Sequence, residues 1–129
     1  MIDRRMVDGA PKPAGHYVHA IVQEGLVHCA GQAGVDPASG KLVSGVEEQT
    51  LPATANLATI LADVGSDLSV VLHARVFLRN AADFAVMDRL FAEAFGTVRP
   101  ARTTVPCFGF REELDLEIDV IAAVRSDQG

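Results

Sequence analysis

Arg102 and Glu117 have the residue type and setting to handle a small charged organic molecule. Arg102 follows Pro100-Ala101 and opens Arg102-Thr103-Thr104-Val105, a run that reads as a strand. Strand alternation puts Arg102 and Thr104 on the same face. A guanidinium offers a planar fork of N–H donors that matches a carboxylate, and in a sheltered site it binds one bidentately. Glu117 lies in the polar register of another strand, Leu116-Glu117-Ile118-Asp119. A sheltered carboxylate of this kind can hold a water and relay protons. Alone, each residue is ordinary: most strand arginines serve the surface or an ion pair, and a lone glutamate on a polar face is usually solvated. Tyr17 is the only tyrosine.

Other chemistries find little support. The chain has neither a Gly-x-Ser-x-Gly elbow nor a P-loop. Its histidines, His16, His19, His28 and His73, lack zinc-ligand spacing, and no Cys-x-x-Cys accompanies them, so no metal is expected. Cys29 and Cys107 read as free thiols packing as small apolar groups. Gly31-x-x-Gly34 does not stand between a strand and a helix as a dinucleotide fingerprint would, and reads as a turn leaving a hairpin.

A chain of 129 residues, 49% hydrophobic and 22% charged, is expected to form one domain around one core. The net charge of -6 disfavours nucleic acid as a partner, because such binding needs a basic footprint. No apolar run approaches the ~18 residues of a membrane span. The N-terminal stretch, residues 1–13, carries charges but no apolar signal core and reads as a loose arm, with the cytoplasm as the default location.

The positioning elements follow from periodicity. Tyr17 to Val22 and Leu26 to Ala30 read as a hairpin joined at Gln23-Glu24-Gly25. Val46 to Val64 has helical spacing, with Leu51, Ala55, Ala58, Leu61 and Ala62 as its stripe. Either the helix starts near Thr50, so that Pro52 falls in the first turn, or it is kinked at the proline, and the first reading is preferred. Val70 to Leu78 is a strand whose apolar face is Val70, Leu72, Ala74, Val76 and Leu78. Asn80 caps a second helix, which buries Phe84, Met87, Phe91 and Phe95 and stops at Gly96. Arg102 to Phe108 and Leu114 to Val124 complete a ββαβαββ order. This is an α+β fold of two layers, with a mixed sheet covered by two helices on one face. Arg75, Arg102, Glu117 and Asp119 are expected on the uncovered face, which must meet water or another subunit.

Six segments recur in order in one known family: Gly15-His16-Tyr17, Ala30-Gly31-Gln32, Glu48-Gln49-Thr50, Asp83-Phe84, Pro100-Ala101-Arg102-Thr103-Thr104 and Leu116-Glu117-Ile118-Asp119. Through them the chain resembles the Rid (RidA/YjgF) family of reactive-intermediate deaminases, also labelled endoribonuclease L-PSP, from about Ala14 to Val124. The resemblance implies a chorismate-mutase-like fold and a homotrimer with clefts between subunits. It implies hydrolysis of a 2-imino or 2-enamine carboxylate to a 2-oxo acid and ammonia, without cofactor or metal. It further implies that Arg102 anchors the carboxylate, Glu117 orients water, Tyr17 lines the cleft, the Gly31 N–H is a second donor, and Thr104 and Asp88 border the substrate.

The chain departs from the family pattern where Ala30 replaces a usual serine, Thr104 a common cysteine and Asp88 a common asparagine. Pro106-Cys107-Phe108-Gly109-Phe110 is also unusually aromatic. Asp88, Ala30 and the two phenylalanines together point to a substrate larger than 2-iminopropanoate, with a donor or apolar group; drift at tolerant positions is the equal alternative. The competing reading is a non-catalytic binder of small carboxylates or of a partner. Ribonuclease activity is disfavoured by the negative charge and the lack of a basic, aromatic stripe.

Overall fold

The computed structural model describes residues 1–107, 111 and 113–125. Strands β1 (Asp3–Arg5), β2 (Ala20–Gln23), β3 (Leu26–Gln32), β4 (Val71–Leu78), β5 (Ala101–Pro106) and β6 (Leu116–Ala123) form one sheet in the order β1-β2-β3-β6-β4-β5. Helices α1 (Val46–Asp63) and α2 (Phe84–Phe95) pack on one side of it. The β4–β5 pair is parallel, with α2 in its crossover, and the other pairs are antiparallel. The expected α+β class, mixed sheet and pair of helices are all present.

β6 carries the plainest pattern. Leu116, Ile118, Val120 and Ala122 are buried against the helices, and Glu117, Asp119 and Ile121 point to the uncovered side. β2 and β3 are joined by Glu24-Gly25, both at positive φ, as a two-residue hairpin loop of the right hand requires. β2 begins at Ala20 rather than Tyr17, which leaves Tyr17 in the preceding loop.

The residues 3–13 are tied down, contrary to the loose arm expected. β1 pairs with β2, and Val7 and Ala10 are buried. The clip is His19, itself buried. Its Nδ1 accepts the Val7 N–H at 2.8 Å, and its Nε2 lies 2.7 Å from the Pro11 carbonyl. A backbone N–H must donate and a carbonyl must accept, so the ring is held as the neutral Nε2–H tautomer.

α1 starts four residues before the expected Thr50, and Pro52 lies in its second turn. The proline leaves the exposed Glu48 carbonyl without its usual helical donor, a group that water can satisfy. The buried stripe is also displaced from the one expected. It contains Ala53, Leu57, Ile60 and Leu61 together with the polar Gln49, Thr50, Thr54 and Asn56, while Ala55 and Ala62 are exposed. These polar groups are hydrogen-bonded. Gln49 donates to the carbonyls of Val43 and Glu113 at 3.0 and 2.9 Å and accepts the Asp115 N–H at 3.0 Å. It thereby fixes the chain entering β6. Asn56 donates to the carbonyls of Ala33 and Val35.

β4 is bulged against β6 between Val71 and His73, which breaks the alternation expected there. Val71 is buried and Leu72 is 51% exposed. Asn80 accepts the Ala82 N–H and caps a short 3-10 turn that leads into α2. α2 buries Met87, Phe91 and Phe95, but Phe84, in its first turn, is 44% exposed. Gly96 ends the helix at positive φ. β5 begins at Ala101 and β6 ends at Ala123, and Phe108, assigned to the preceding strand from sequence, lies outside the described residues.

Candidate functional site

The residues singled out from sequence gather into two clusters. The first forms around a bulge. The β3–β6 pairing passes from Cys29–Val120 to Gln32–Ile118, so that Ala30 and Gly31 fall within an irregularity. Here Glu117 lies over Gly31. A Cβ on Gly31 would sit about 2.1 Å from Glu117 Oε2, closer than any real contact. Gly34 has the same function toward α1, because a Cβ there would come within 2.7 Å of the Gln49 Cα. Neither glycine has a positive φ. Gly31-x-x-Gly34 is therefore not the expected turn; it is a pair of close approaches that seat a carboxylate and a helix.

Ala14, Gly15, Tyr17, Ala30, Gly31 and Glu117 line a pocket of about 410 Å³ at this bulge. The Tyr17 hydroxyl accepts the Ala14 N–H at 3.0 Å, which fixes the phenol at the rim. Burial, and then the nearby charge of Asp119, hold the Glu117 carboxyl above the ordinary range of a glutamate. The carboxylate of Asp119 is itself tied to Arg75 by two hydrogen bonds of 2.9 and 2.7 Å. Glu117 thus holds its proton more tightly than an ordinary glutamate, whereas hydrogen bonds hold Asp36 and Asp67 below the ordinary range of an aspartate. Gly31→Ala should keep the fold but displace that carboxyl. For any reaction that uses Glu117, the expected result is a loss close to that of removing Glu117 itself, with unchanged far-UV circular dichroism.

The second cluster lies on β5, an edge of the sheet. Arg102 pairs with Ala74 and Thr104 with Val76, both on the helix-covered side. Arg102 therefore does not share the uncovered face with Arg75, Glu117 and Asp119, as was expected. Its guanidinium turns toward α2. It lies 4.8 Å from the ring centre of Phe91 and 5.5 Å from that of Phe84. Its Nε donates to Thr104 Oγ1 at 3.1 Å, and its Nη2 is 2.8 Å from Asp88 Oδ1. The side chain is only 19% exposed, compared with 52% for Asp88. Phe84 was expected in the core; it instead forms a partly open wall under this arginine. The cation–π contacts and the Thr104 and Asp88 partners fix the plane of the fork.

The structure brings Tyr17, Gly31 and Glu117 together, and brings Arg102, Thr104 and Asp88 together. Within one chain it holds the two groups on opposite sides of the sheet. The Asp88–Arg102 ion pair could not be read from the sequence. Its only trace is the placement of Asp88 one turn after Phe84 and one before Phe91 on a helix, facing the same way. Cys29 is buried and its thiol is pushed up to about 12 by burial first and Asp119 second, and Cys107 is exposed; both are free. Among the described residues no group of histidine, cysteine or acidic side chains could hold a metal ion, and no helix is long and apolar enough to cross a membrane.

The family model described as Endoribonuclease L-PSP matches residues 7–124. A RutC family protein of Pyrococcus abyssi is 36% identical over 114 residues, covering 88% of this chain and 90% of the relative. A 2-iminobutanoate/2-iminopropanoate deaminase of Capra hircus is 34% identical over 122 residues, covering 92% and 89%. The crystal structure of yeast YEO7 superposes with a TM-score of 0.92 at 29% identity, over 97% of this chain and all of that one. The match runs through both clusters, from the arm clipped by His19 to the end of β6, and on it the chain belongs to the Rid/YjgF/RutC family.

Proposed function

We propose that this protein hydrolyses a 2-imino carboxylate, or its enamine tautomer, to a 2-oxo acid and ammonia. The observation that carries the reading is the seat of Glu117: a carboxyl of raised proton affinity, pressed on Gly31 at the wall of an open pocket. A group that both takes and gives a proton is what imine hydrolysis requires. The activity named for the Capra hircus relative is of this kind.

The imine carbon is the electrophile. A water held by Glu117 attacks it, forming the C–O bond while a water proton passes to the carboxylate. The C=N π pair moves to nitrogen, which receives that proton from Glu117; Glu117 then carries the proton of the new hydroxyl to nitrogen, the C–N bond breaks, and ammonia leaves as the carbonyl forms. Arg102 holds the substrate carboxylate and so fixes the position of that carbon. Thr104 keeps the fork in plane through Nε. Tyr17 and the Gly31 N–H complete the walls. Because Arg102 and Glu117 face opposite ways in one chain, the active site is formed between copies, with Arg102 of one chain facing Glu117 of the next in a closed trimer.

The test is direct. A 2-imino acid generated in situ by an amino-acid oxidase should disappear faster with protein than without it, and light scattering should report a trimer. Unchanged decay, with a 2-oxo acid still binding at Arg102, would instead make the protein a carboxylate-binding module.

A further inference from the structure

The Arg102 fork is already partly occupied by the protein's own side chains. A guanidinium has two hydrogen-bonding edges: a lateral one through Nε and Nη2, and a terminal one through Nη1 and Nη2. Thr104 takes Nε at 3.1 Å, and Asp88 stands 2.8 Å from Nη2. The lateral edge is thus engaged at both positions. Phe91 and Phe84 also crowd the guanidinium, their ring centres 4.8 and 5.5 Å from its carbon. Among the described residues Nη1 has no hydrogen-bond partner, so an incoming carboxylate is left with the terminal edge, where it must share Nη2 with Asp88.

We infer that Asp88 is a specificity-determining residue, an internal carboxylate that competes with the substrate's for Arg102 and weakens binding of small, plain 2-oxo and 2-imino acids. This rests on the proposed carboxylate-binding role of Arg102. Two anions on one guanidinium nitrogen repel each other, and displacing Asp88 costs an existing charge-assisted contact. Asp88 is half exposed, so it can turn away to solvent when a stronger ligand arrives. An asparagine in its place would keep an oxygen for Nη2 and remove the repulsion.

The experiment compares wild type, Asp88→Asn, Asp88→Glu and Arg102→Ala. Each is titrated calorimetrically with 2-oxobutanoate, and KM and kcat are measured with 2-iminopropanoate generated in situ. Asp88→Asn should lower both the Kd for 2-oxobutanoate and the KM by about tenfold, with kcat changed by less than about twofold. Asp88→Glu, which keeps the charge, should keep the weak binding. Equal or weaker binding in Asp88→Asn overturns the inference, and so does tightening by Asp88→Glu, since a merely structural role would not follow charge. If no variant turns over the imino acid, the deaminase reading fails, and the 2-oxobutanoate affinities still decide the role of Asp88. If turnover is lost in Arg102→Ala but Asp88→Asn behaves as wild type, the deaminase reading stands and the inference falls.

Discussion

Mixed oligomers of Arg102→Ala and Glu117→Gln chains should regain activity that neither variant has alone. Arg102→Ala removes the proposed anchor for the substrate carboxylate. A charge-assisted bidentate contact in a sheltered site is worth several kcal/mol, so kcat/KM should fall by about 10²–10³-fold. The loss is not only of affinity, because the same contact places the electrophilic carbon. Arg102→Lys should recover little of it, since an ammonium has no planar fork and would not keep the Thr104 and Phe91 contacts together. On opposite faces of one sheet, Arg102 and Glu117 of a single chain cannot address one small molecule. If neighbours supply them, co-expressed variants in equal amounts should form intact sites by random assortment, about one quarter of the total in a cyclic oligomer. A tagged co-purification establishes that both chains share one oligomer. Mixed oligomers without recovered turnover would show that Arg102 and Glu117 do not meet across an interface, and a monomeric mass would rule out the arrangement outright.

The placement of Arg102 shows where the sequence stops being informative. Alternation within β5 puts Arg102 and Thr104 on the same side, and they do share it. It does not say which side. That depends on the parallel register with β4, in which Arg102 falls opposite Ala74. On an edge strand partial exposure of both sides leaves no apolar stripe to decide the matter. β6 is the opposite case. It lies between β3 and β4, one side is wholly buried, and its strict alternation reads directly as a core strand. The buried face of α1 was hidden for another reason. Half of its buried face is Gln49, Thr50, Thr54 and Asn56, whose side chains satisfy backbone groups rather than fill apolar space, so hydrophobic spacing located the wrong stripe. The N-terminal arm likewise depends on one polar side chain, His19, acting over a distance in sequence that periodicity does not register. Gly31 was legible as a site residue only through the family resemblance, and the reason for a glycine there is the Glu117 carboxyl pressed against it.

Glu117→Gln should be the most damaging conservative change for turnover, and it should also stabilise the fold at neutral pH. Glutamine keeps the shape and can still hold a water, but it cannot perform the proposed proton relay, taking the proton that attack releases and returning it to nitrogen. Loss of a positioned acid–base group costs about 10²–10⁴-fold in kcat. The stability effect has the opposite sign because of the direction of the Glu117 shift. Burial first, and Asp119 second, raise the carboxyl above the ordinary glutamate value of 4.5, so the folded chain holds this proton more tightly than the unfolded chain. A group of that kind contributes stability that is fully present below the unfolded value and is lost as pH rises through the folded one. Once ionised, the wild-type carboxylate stands where the structure favours a neutral group, and glutamine removes that cost. Thermal melts from acid to neutral pH should show the variant's advantage in Tm growing from about pH 4.5 upward, then levelling off once the wild-type carboxyl is fully ionised. A Tm difference independent of pH would mean that the change acts through packing alone. Near-normal kcat in the variant would remove Glu117 from the chemistry and leave Arg102 and the pocket as a binding site.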